Sequence, residues 1–174
     1  MLNETAHADA PGVEILPATW RDLNELRAVE HDCFGRDAWS LIDLIGVLTL
    51  PGTSRLKAVV NGHMVGFAAG DIRKDEATGW ISTIGVAGAY RRLGIGSLLL
   101  KASEADMAMP RVCLCVRKSN QPAIEMYTRY GYHVFDRWER YYEDGEDALV
   151  MENYLRRNSI KIETAWTGRF YFYE

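Results

Sequence analysis

The sequence predicts a single α+β domain with a mixed, mostly antiparallel sheet of six to seven strands, flanked by about four helices. Three observations lead to this fold class. Two apolar runs, Arg55 to Val60 and Met64 to Ala69, are joined by Asn61-Gly62, which is the strongest short signal for a β-hairpin. Residues 80–100 then read as a buried strand, a basic glycine-containing turn and a helix. Further helical patterns lie before and after these units.

The length and charge of the chain limit what it can be. At 174 residues it fits one domain, and a chain of this size buries on the order of 70% of its unfolded surface. The net charge of −4 gives no general attraction to nucleic acid or anionic membranes. No apolar run reaches the ~18 residues that span a bilayer. We therefore expect no nucleic-acid or membrane partner, and we predict that residues 1–12, which lack a secretion signal, form a disordered lead.

The three cysteines are Cys33, Cys113 and Cys115. Their number is odd, and a disulfide between the last two, which lie two apart in an extended run, would be strained. A reducing cytoplasm is the simplest expectation. A zinc site would need four converging ligands, and no second spaced pair accompanies Cys113 and Cys115, so we expect no metal.

Two helices are predicted before the hairpin. Thr19 and Asp22 can cap the first helix, and Ser40 and Asp43 can cap the second, which Pro51-Gly52 ends. In the first helix, apolar residues recur at helical spacing: Leu23, Leu26, Val29 and Phe34. Both helices should therefore present an apolar face to the sheet.

After the hairpin, a polar loop from Arg73 to Gly79 leads into the strand–turn–helix unit. Its helix is predicted from about Gly94 to Ala108, followed by a strand from Val112 to Arg117. Residues 120–122, Asn-Gln-Pro, suit the start of a fourth helix, and Gly131 suits its C-terminal stop.

Two hairpins are predicted at the end of the chain. The first joins residues 132–142 to residues 148–154 around Asp144-Gly145. Residues 156–174 predict an extra hairpin, because apolar and polar side chains alternate there around Thr167-Gly168. Two outcomes stay open for it. The segment extends the sheet of its own subunit, or its aromatic face pairs with a second subunit to form a homodimer.

The turn at residues 91–96, Arg-Arg-Leu-Gly-Ile-Gly, predicts a site for a phosphorylated cofactor. Gly94 and Gly96 lack a Cβ, so backbone N–H groups at the helix entry can approach a pyrophosphate, and the helix dipole favours the negative charge. Two better-known phosphate loops are excluded. Gly96 is not followed by Lys-Ser/Thr, and there is no third glycine with an acidic residue about twenty positions further on.

Two segments carry a family resemblance. Gly85-Val-Ala-Gly-Ala-Tyr-Arg-Arg-Leu-Gly-Ile-Gly96 and Val116-Arg-Lys-Ser-Asn-Gln-Pro-Ala-Ile-Glu-Met-Tyr-Thr-Arg-Tyr-Gly-Tyr132 resemble, in the same order, the GNAT superfamily of acetyl-coenzyme A-dependent N-acetyltransferases. Tyr141-Tyr-Glu-Asp-Gly-Glu-Asp-Ala-Leu-Val-Met151 looks like the protein N-terminal branch, which includes ribosomal-protein alanine acetyltransferases. The resemblance implies a GNAT-like domain over residues 13–155, with residues 156–174 as a C-terminal β extension.

The resemblance implies acetyl-CoA or coenzyme A as the cofactor. In the family, backbone groups of the strand here ending near Val86 contact the pantetheine and the thioester, and N–H groups of the following turn receive the pyrophosphate. Asn120 resembles a residue that binds the cofactor arm, although it can also cap the helix. The implied cofactor-binding residues are Ile84, Gly85, Val86, Arg91, Arg92, Leu93, Gly94, Ile95, Gly96, Ser97, Asn120 and Tyr127.

The resemblance implies Tyr127 as the general acid, since a phenol of pKa ~10 stays protonated at neutral pH. The family pattern is broken at the general base, because the strand that typically reads Leu-Glu-Val-Arg has Cys115 in place of the glutamate. We interpret this cysteine as lining the catalytic site, since its thiol has no evident activating base. Trp80, at a position where other members have a tyrosine base, carries no basic group. Asp37, or an ordered water, remains as the candidate base.

The acceptor is expected to be a protein or peptide N-terminus. At pH 7 an α-amine is about one-tenth neutral, whereas a lysine amine is neutral in well under one part in a thousand, so a site without a strong base favours the α-amine in a direct attack with both substrates bound. By resemblance, the implied substrate-binding residues are Phe34, Trp80, Tyr141 and Tyr142. Two alternatives stay open: a small amine acceptor, such as a polyamine or an aminoglycoside, or a non-catalytic coenzyme A-binding module.

Overall fold

The computed structural model describes residues 12–155 of the chain. The predicted lead falls outside these residues except for residue 12, and the predicted C-terminal β extension over 156–174 falls wholly outside them. Both remain predictions, and so does a homodimer formed through the extension. The described part holds seven strands and four α-helices, which confirms the predicted α+β fold.

The strands and helices occur in the predicted order. The strands are β1 (Glu14–Pro17), β2 (Thr53–Val60), β3 (His63–Arg73), β4 (Thr78–Val86), β5 (Arg111–Arg117), β6 (His133–Trp138) and β7 (Ala148–Tyr154). The α-helices are α1 (Leu23–Phe34), α2 (Leu41–Thr49), α3 (Ile95–Met107) and α4 (Gln121–Arg129). The strands form one sheet in the order β1-β2-β3-β4-β5-β7-β6. Every neighbouring pair is antiparallel except β4 with β5, which is parallel.

The local signals in the sequence act as expected. The Ser40 hydroxyl accepts the Asp43 N–H at 3.3 Å, and the Asp43 carboxylate accepts the Ser40 N–H at 3.2 Å, so the two residues form a capping box at the start of α2. In the β2–β3 hairpin, Asn61 and Gly62 both have positive φ, at 51° and 81°. These are the two residue types that adopt this conformation most readily, which explains the tight turn.

The structure corrects three expectations about the elements. Strand β1 was not predicted, because its four residues are too few to show a periodic pattern, yet it pairs with β2 and buries Ile15 completely. Strand β4 begins at Thr78, so the polar loop before it is shorter than predicted. Strand β6 ends at Trp138 instead of continuing to residue 142.

The early end of β6 comes from a hydrogen bond to a residue seven positions further along the chain. Arg140 adopts a positive φ of 52°, and its N–H donates to the Asp147 carboxylate at 3.0 Å. The chain therefore leaves the extended conformation after β6. Tyr141 and Tyr142 consequently lie in the β6–β7 connection, residues 139–147, and not on a strand.

The helices cover both faces of the sheet. Helices α3 and α4 pack on one face, where the buried side chains include Leu99, Leu100, Met107, Leu114 and Tyr127. Helices α1 and α2 pack on the other face, around Leu26, Leu44 and Phe67. None of the helices in residues 12–155 is long and apolar enough to cross a membrane.

Strands β4 and β5 separate partway along their length. Their pairing runs from Thr78 opposite Arg111 to Ile81 opposite Leu114, and ends there. On the other side of β4, the pairing with β3 jumps from Ile81 to Thr83, which leaves Ser82 as an extra residue. Such a bulge bends its strand. Residues 82–86 therefore diverge from β5, and a gap opens in the middle of the sheet.

This bulge leaves no room for a side chain at Gly70, where a Cβ would lie 2.4 Å from the Trp80 carbonyl oxygen and 3.1 Å from the Ile81 Cα. Because backbone atoms cannot move aside, Gly70→Ala is expected to lower the free energy of unfolding by about 3 kcal/mol, as measured by urea denaturation. Gly46→Ala is the matched control, since its Cβ would meet only Leu50, at 3.7 Å. Equal stability of the two variants would contradict this account of the bulge.

Candidate active site

A cavity of about 950 Å³ lies where β4 and β5 separate, bounded by α1, the start of α3 and α4. Most of the predicted site residues line it: Phe34, Asp37, Ile84, Gly85, Val86, Arg91, Arg92, Gly94, Ile95, Gly96, Ser97, Asn120 and Tyr127. Five other predicted site residues lie in the described part of the chain but do not line the cavity: Leu93, Trp80, Cys115, Tyr141 and Tyr142. Three separate segments of the sequence, residues 33–37, 84–97 and 117–129, thus meet around one cavity.

The first residues of α3 and its cap, Gly94 to Ser97, line this cavity. Gly94 caps the helix with φ 79° in the left-handed region, where a glycine has no steric penalty. The Ser97 and Leu98 N–H groups donate to the Gly94 carbonyl at 3.0 and 3.1 Å. The N–H groups of Ile95 and Gly96 come earlier in the first turn, where a helix offers them no carbonyl partner. This end of α3 therefore suits an anion.

The packing around Gly96 fits an extended, phosphorylated ligand. A Cβ on Gly96 would lie 3.5 Å from the Met126 sulfur and 3.9 Å from Val86, both ordinary contact distances. Protein packing alone therefore does not require glycine at this position. A longer side chain would instead fill the cavity between α3 and α4, where the pyrophosphate of coenzyme A would have to lie.

Three exposed arginines, Arg91, Arg92 and Arg129, stand around this end of the cavity. Arg91 is partly engaged within the protein, because its Nε donates to the Val86 carbonyl at 3.0 Å. The neighbouring loop is tied to α1, since the Gly88 N–H donates to the Asp32 carboxylate at 2.6 Å. Arg91 therefore helps to hold the loop, while the three guanidinium groups give this part of the lining a positive charge suited to phosphate.

The end of α1 packs directly on β4. A Cβ at Gly85 would lie 3.0 Å from the Cys33 sulfur and 3.1 Å from the Phe34 ring. A side chain at this position would have to displace Cys33 and Phe34 by a few tenths of an ångström, so the close approach favours glycine. Cys33 also lines the cavity, and burial raises the pKa of its thiol, so the thiol is neutral at physiological pH.

Tyr127 is a buried tyrosine that lines the cavity and is only 8% exposed. Its ring packs against Tyr132 at a centroid distance of 5.8 Å. In the described part of the chain, no group forms a hydrogen bond with its hydroxyl. Burial raises the pKa of Tyr127 to about 12, so the phenol stays protonated throughout the neutral range. It can therefore donate a proton into the cavity.

Cys115 is half-buried on β5, outside the cavity lining. Burial, with a contribution from Cys113, raises the pKa of its thiol to about 11. The thiol is therefore a poor base and a poor nucleophile at neutral pH. The three cysteines are all free, and no group of three or more His, Cys, Asp or Glu side chains in residues 12–155 is placed to hold a metal ion.

Three of the four predicted substrate-binding residues, Trp80, Tyr141 and Tyr142, belong to a continuous aromatic row outside the cavity, whereas Phe34 lines the cavity. Trp80 stacks on Trp138 with ring centroids 5.9 Å apart, Trp138 contacts Tyr141 at 5.4 Å, and Tyr141 meets Tyr142 edge to face at 5.1 Å. The row starts on β4 and reaches the β6–β7 connection. Trp138, which joins its two halves, was not singled out from the sequence, because its role comes from pairing of distant strands.

Asp37 lies in a 3-10 turn, Gly35–Asp37, within the α1–α2 connection, residues 35–40. Its carboxylate accepts a hydrogen bond from Arg117 at the end of β5, so it is engaged in an ion pair and is not a free base. A second carboxyl group supports the same connection: Glu30, 3% exposed, accepts the Trp39 N–H at 3.4 Å, and burial raises its pKa to about 7.

Sequence reasoning missed several cavity residues. Pro122, Met126 and Arg129 lie at helical spacing on the side of α4 that faces the cavity. A helical projection anchored on the predicted residue Tyr127 would have found them. Cys33 and Arg117 gave no local signal, because tertiary packing alone brings them to the cavity.

Comparison with known proteins gives one consistent result. The family model described as "Acetyltransferase (GNAT) family" matches residues 17–132. The catalytic subunit NAA10 of the N-terminal acetyltransferase A complex of Arabidopsis thaliana is 31% identical over 146 residues, which are 80% of this chain and 76% of the relative. The uncharacterized N-acetyltransferase MJ1530 of Methanocaldococcus jannaschii is 32% identical over 135 residues, which are 75% of this chain and 85% of the relative.

Solved structures agree in fold. The ribosomal-protein-S18-alanine N-acetyltransferase of Escherichia coli superimposes with a TM-score of 0.75 at 23% identity, over 85% of this chain and 98% of that one. Naa50 of Arabidopsis thaliana, solved with the bisubstrate analogue CoA-Ac-MVNAL, superimposes with a TM-score of 0.69 at 25% identity, over 83% of this chain and 99% of that one.

The expected position of the coenzyme A pyrophosphate beside Gly96 can be tested by measuring coenzyme A binding. Gly96→Leu is expected to raise the Kd for coenzyme A at least about tenfold, since the side chain would fill the space between α3 and α4. Isothermal titration calorimetry measures this change. Gly96→Ala is the control, because its Cβ makes only ordinary contacts, and it should bind within about threefold of the wild type. Wild-type affinity in Gly96→Leu would show that the ligand lies elsewhere.

Proposed function

The chain belongs to the GNAT family of N-acetyltransferases, which use acetyl-CoA as the acetyl donor, and from this we propose that its acceptor is the N-terminal α-amine of a protein or peptide. Relatives with this kind of acceptor support the proposal: the Arabidopsis relative is named as an N-terminal acetyltransferase subunit, and Naa50 was solved with an analogue that joins coenzyme A to a peptide. The acetyl group passes directly to the amine with both substrates bound.

The observation that carries this choice of acceptor is that neither candidate base predicted from the sequence, Cys115 or Asp37, is free to accept a proton at neutral pH. The Cys115 thiol has its pKa raised to about 11, and the Asp37 carboxylate is paired with Arg117. An acceptor must therefore arrive largely neutral. At pH 7 the neutral fraction of an α-amine of pKa ~7.7–8.0 is several hundred times that of a lysine amine of pKa ~10.4.

Residues of the chain would bind the donor and supply the proton that the reaction needs. Bound acetyl-CoA supplies an activated thioester carbonyl as the electrophile. The N–H groups at the start of α3, with Arg92 and Arg129, would hold its phosphates. Tyr127 would deliver the phenolic proton to the departing thiolate, and the proton that the attacking amine loses on forming the amide would restore the phenol.

Residues outside the cavity would hold the acceptor. The aromatic row from Trp80 to Tyr142 offers rigid, partly exposed surface at a low cost in side-chain entropy. Because a peptide acceptor approaches from this side, the donor and the acceptor enter from different directions. The reaction is placed in a reducing cytoplasm, where the three free cysteines stay reduced.

A small polycationic acceptor is less well supported. Acidic residues should line the cleft of such an enzyme. Asp37 and Glu125 are the acidic residues in the described lining, and four arginines accompany them: Arg91, Arg92, Arg117 and Arg129. A net positive lining favours the phosphates of the donor over a polyamine or an aminoglycoside.

The preference between amines is testable with two synthetic peptides of one sequence. One carries a free N-terminus and no lysine, and the other carries a blocked N-terminus and one lysine. At pH 7 the free N-terminus is expected to react at least about 100-fold faster, and its rate should rise through about pH 8 and level off near about pH 9, where the amine is largely neutral. Mass spectrometry of the products measures both rates. A preference for the lysine amine would overturn the proposal.

The role of Tyr127 is testable by comparison with Cys115. Tyr127→Phe is expected to lower kcat by about 100-fold, with the KM for acetyl-CoA unchanged within about threefold, since only the proton donor is lost. Cys115→Ser should keep kcat within about threefold of the wild type, since its thiol is neutral. Steady-state kinetics with an N-terminal peptide measures both. Full turnover in Tyr127→Phe would exclude this role, and donor binding without any turnover in the wild type would indicate a non-catalytic module.

A further inference from the structure

Arg117 occupies an unusual position at the end of β5. Its Nη1 donates to the Glu146 carboxylate at 2.7 Å and to the Asp144 carboxylate at 2.9 Å, and its Nη2 donates to Asp37. Its guanidinium carbon lies 4.0 Å from the centroid of the Tyr142 ring. The side chain is 21% exposed. One cation thus contacts three carboxylates and the face of an aromatic ring.

These partners come from two separate loops. Asp37 belongs to the α1–α2 connection, whereas Tyr142, Asp144 and Glu146 belong to the β6–β7 connection. Asp37 lies 80 positions before Arg117, and Glu146 lies 29 positions after it. The guanidinium therefore joins two connections that the sheet alone leaves independent of each other.

The same ion pairs extend to the cofactor side. The second oxygen of Glu146 accepts the Ser119 N–H at 2.8 Å, and the Asn120 N–H donates to the Arg117 carbonyl at 2.9 Å. Asn120 caps α4, the helix that carries Tyr127. These hydrogen bonds therefore fix the position of the β6–β7 connection relative to the start of α4.

The charges favour the arrangement in which Arg117 holds the α1–α2 and β6–β7 connections close together. Hydrogen bonds from Ser119 and Arg117 hold the pKa of Glu146 below its usual value, and those from the Glu146 N–H and Arg117 do the same for Asp144. Both carboxyl groups are therefore charged at neutral pH. Without Arg117, three carboxylates would face one another, and their repulsion would separate the two connections.

We propose that Arg117 is a positioning residue that clamps the α1–α2 and β6–β7 connections together. It thereby closes the groove beside these connections in which the peptide acceptor would bind, called here the acceptor groove. The proposal rests on the proposed function, since the groove is where the peptide would bind. Arg117 also lines the cavity, so binding of the donor phosphates is the competing role. Its guanidinium is already engaged by Asp37, Asp144 and Glu146, which argues against that role.

Kinetics separate the two roles. Arg117→Gln is expected to raise the KM for an N-terminal peptide at least about tenfold, while the Kd for coenzyme A stays within about twofold of the wild type. Arg117→Lys keeps the charge but loses the planar fork, and should show an intermediate increase in the peptide KM. The matched control is Arg137→Gln, which breaks an ion pair with Asp147 of the same connection, whereas within residues 12–155 the Arg137 guanidinium forms no hydrogen bond or ion pair with the α1–α2 connection.

Hydrogen exchange tests the clamp without any acceptor. In Arg117→Gln, amide exchange is expected to increase in both residues 35–40 and residues 139–147, whereas Arg137→Gln should affect the second segment alone. Increased exchange in only one segment would overturn the proposal. Because this measurement needs no turnover, it still tests the clamp if the proposed acceptor is wrong.

The remaining outcomes are also decisive. A rise in the Kd for coenzyme A equal to the rise in the peptide KM would assign Arg117 to the donor phosphates and overturn the proposal. If Arg117→Gln does not fold, Asp37→Asn replaces it, because this change removes one charge of the clamp and leaves the guanidinium in place. An unchanged peptide KM in Asp37→Asn would then overturn the proposal.

Discussion

The separation of β4 from β5 is the constraint on which the rest of this structure depends. Parallel pairing between the two strands stops at Ile81, and the bulge at Ser82 turns the rest of β4 away. Gly70 makes the bulge possible, because a side chain there would collide with the backbone of β4. The gap removes hydrogen bonds from the centre of the sheet, and in return it provides a cavity between two helices. Without it, α3 and α4 would cover a closed sheet with no place for a ligand.

The two sides of the gap carry different chemistry. On the side of α3 and α4, free N–H groups and arginines favour an anion. On the side of the two connections, aromatic rings and paired carboxylates form the walls. Arg117 stands between these regions and is bound by carboxylates. Arg117 is thus engaged by the two connections, whereas Arg91, Arg92 and Arg129 are exposed at the cavity.

Sequence patterns anticipated most of the fold and the cofactor side of the candidate site. Caps such as Ser40 with Asp43 and the Asn61-Gly62 turn act within a few residues, so they can be recognised without knowing the fold. The glycine-containing turn at residues 91–96 is equally local. The missed features were not local. Strand β1 is too short to show a period, and β6 ends early because Asp147, seven positions away, accepts the Arg140 N–H.

The sequence by itself determined the family, the fold class, the order of the elements and the glycine turn at the start of α3, because each of these is carried by neighbouring residues or by a contiguous motif. Only the tertiary structure decided how the α1–α2 and β6–β7 connections are arranged. It paired Asp37 with Arg117 across 80 positions, placed Trp138 between Trp80 and Tyr141, and buried Cys115 so that its thiol stays neutral. Desolvation and ion pairing depend on which distant groups come into contact, and this is set by the packing of the whole chain.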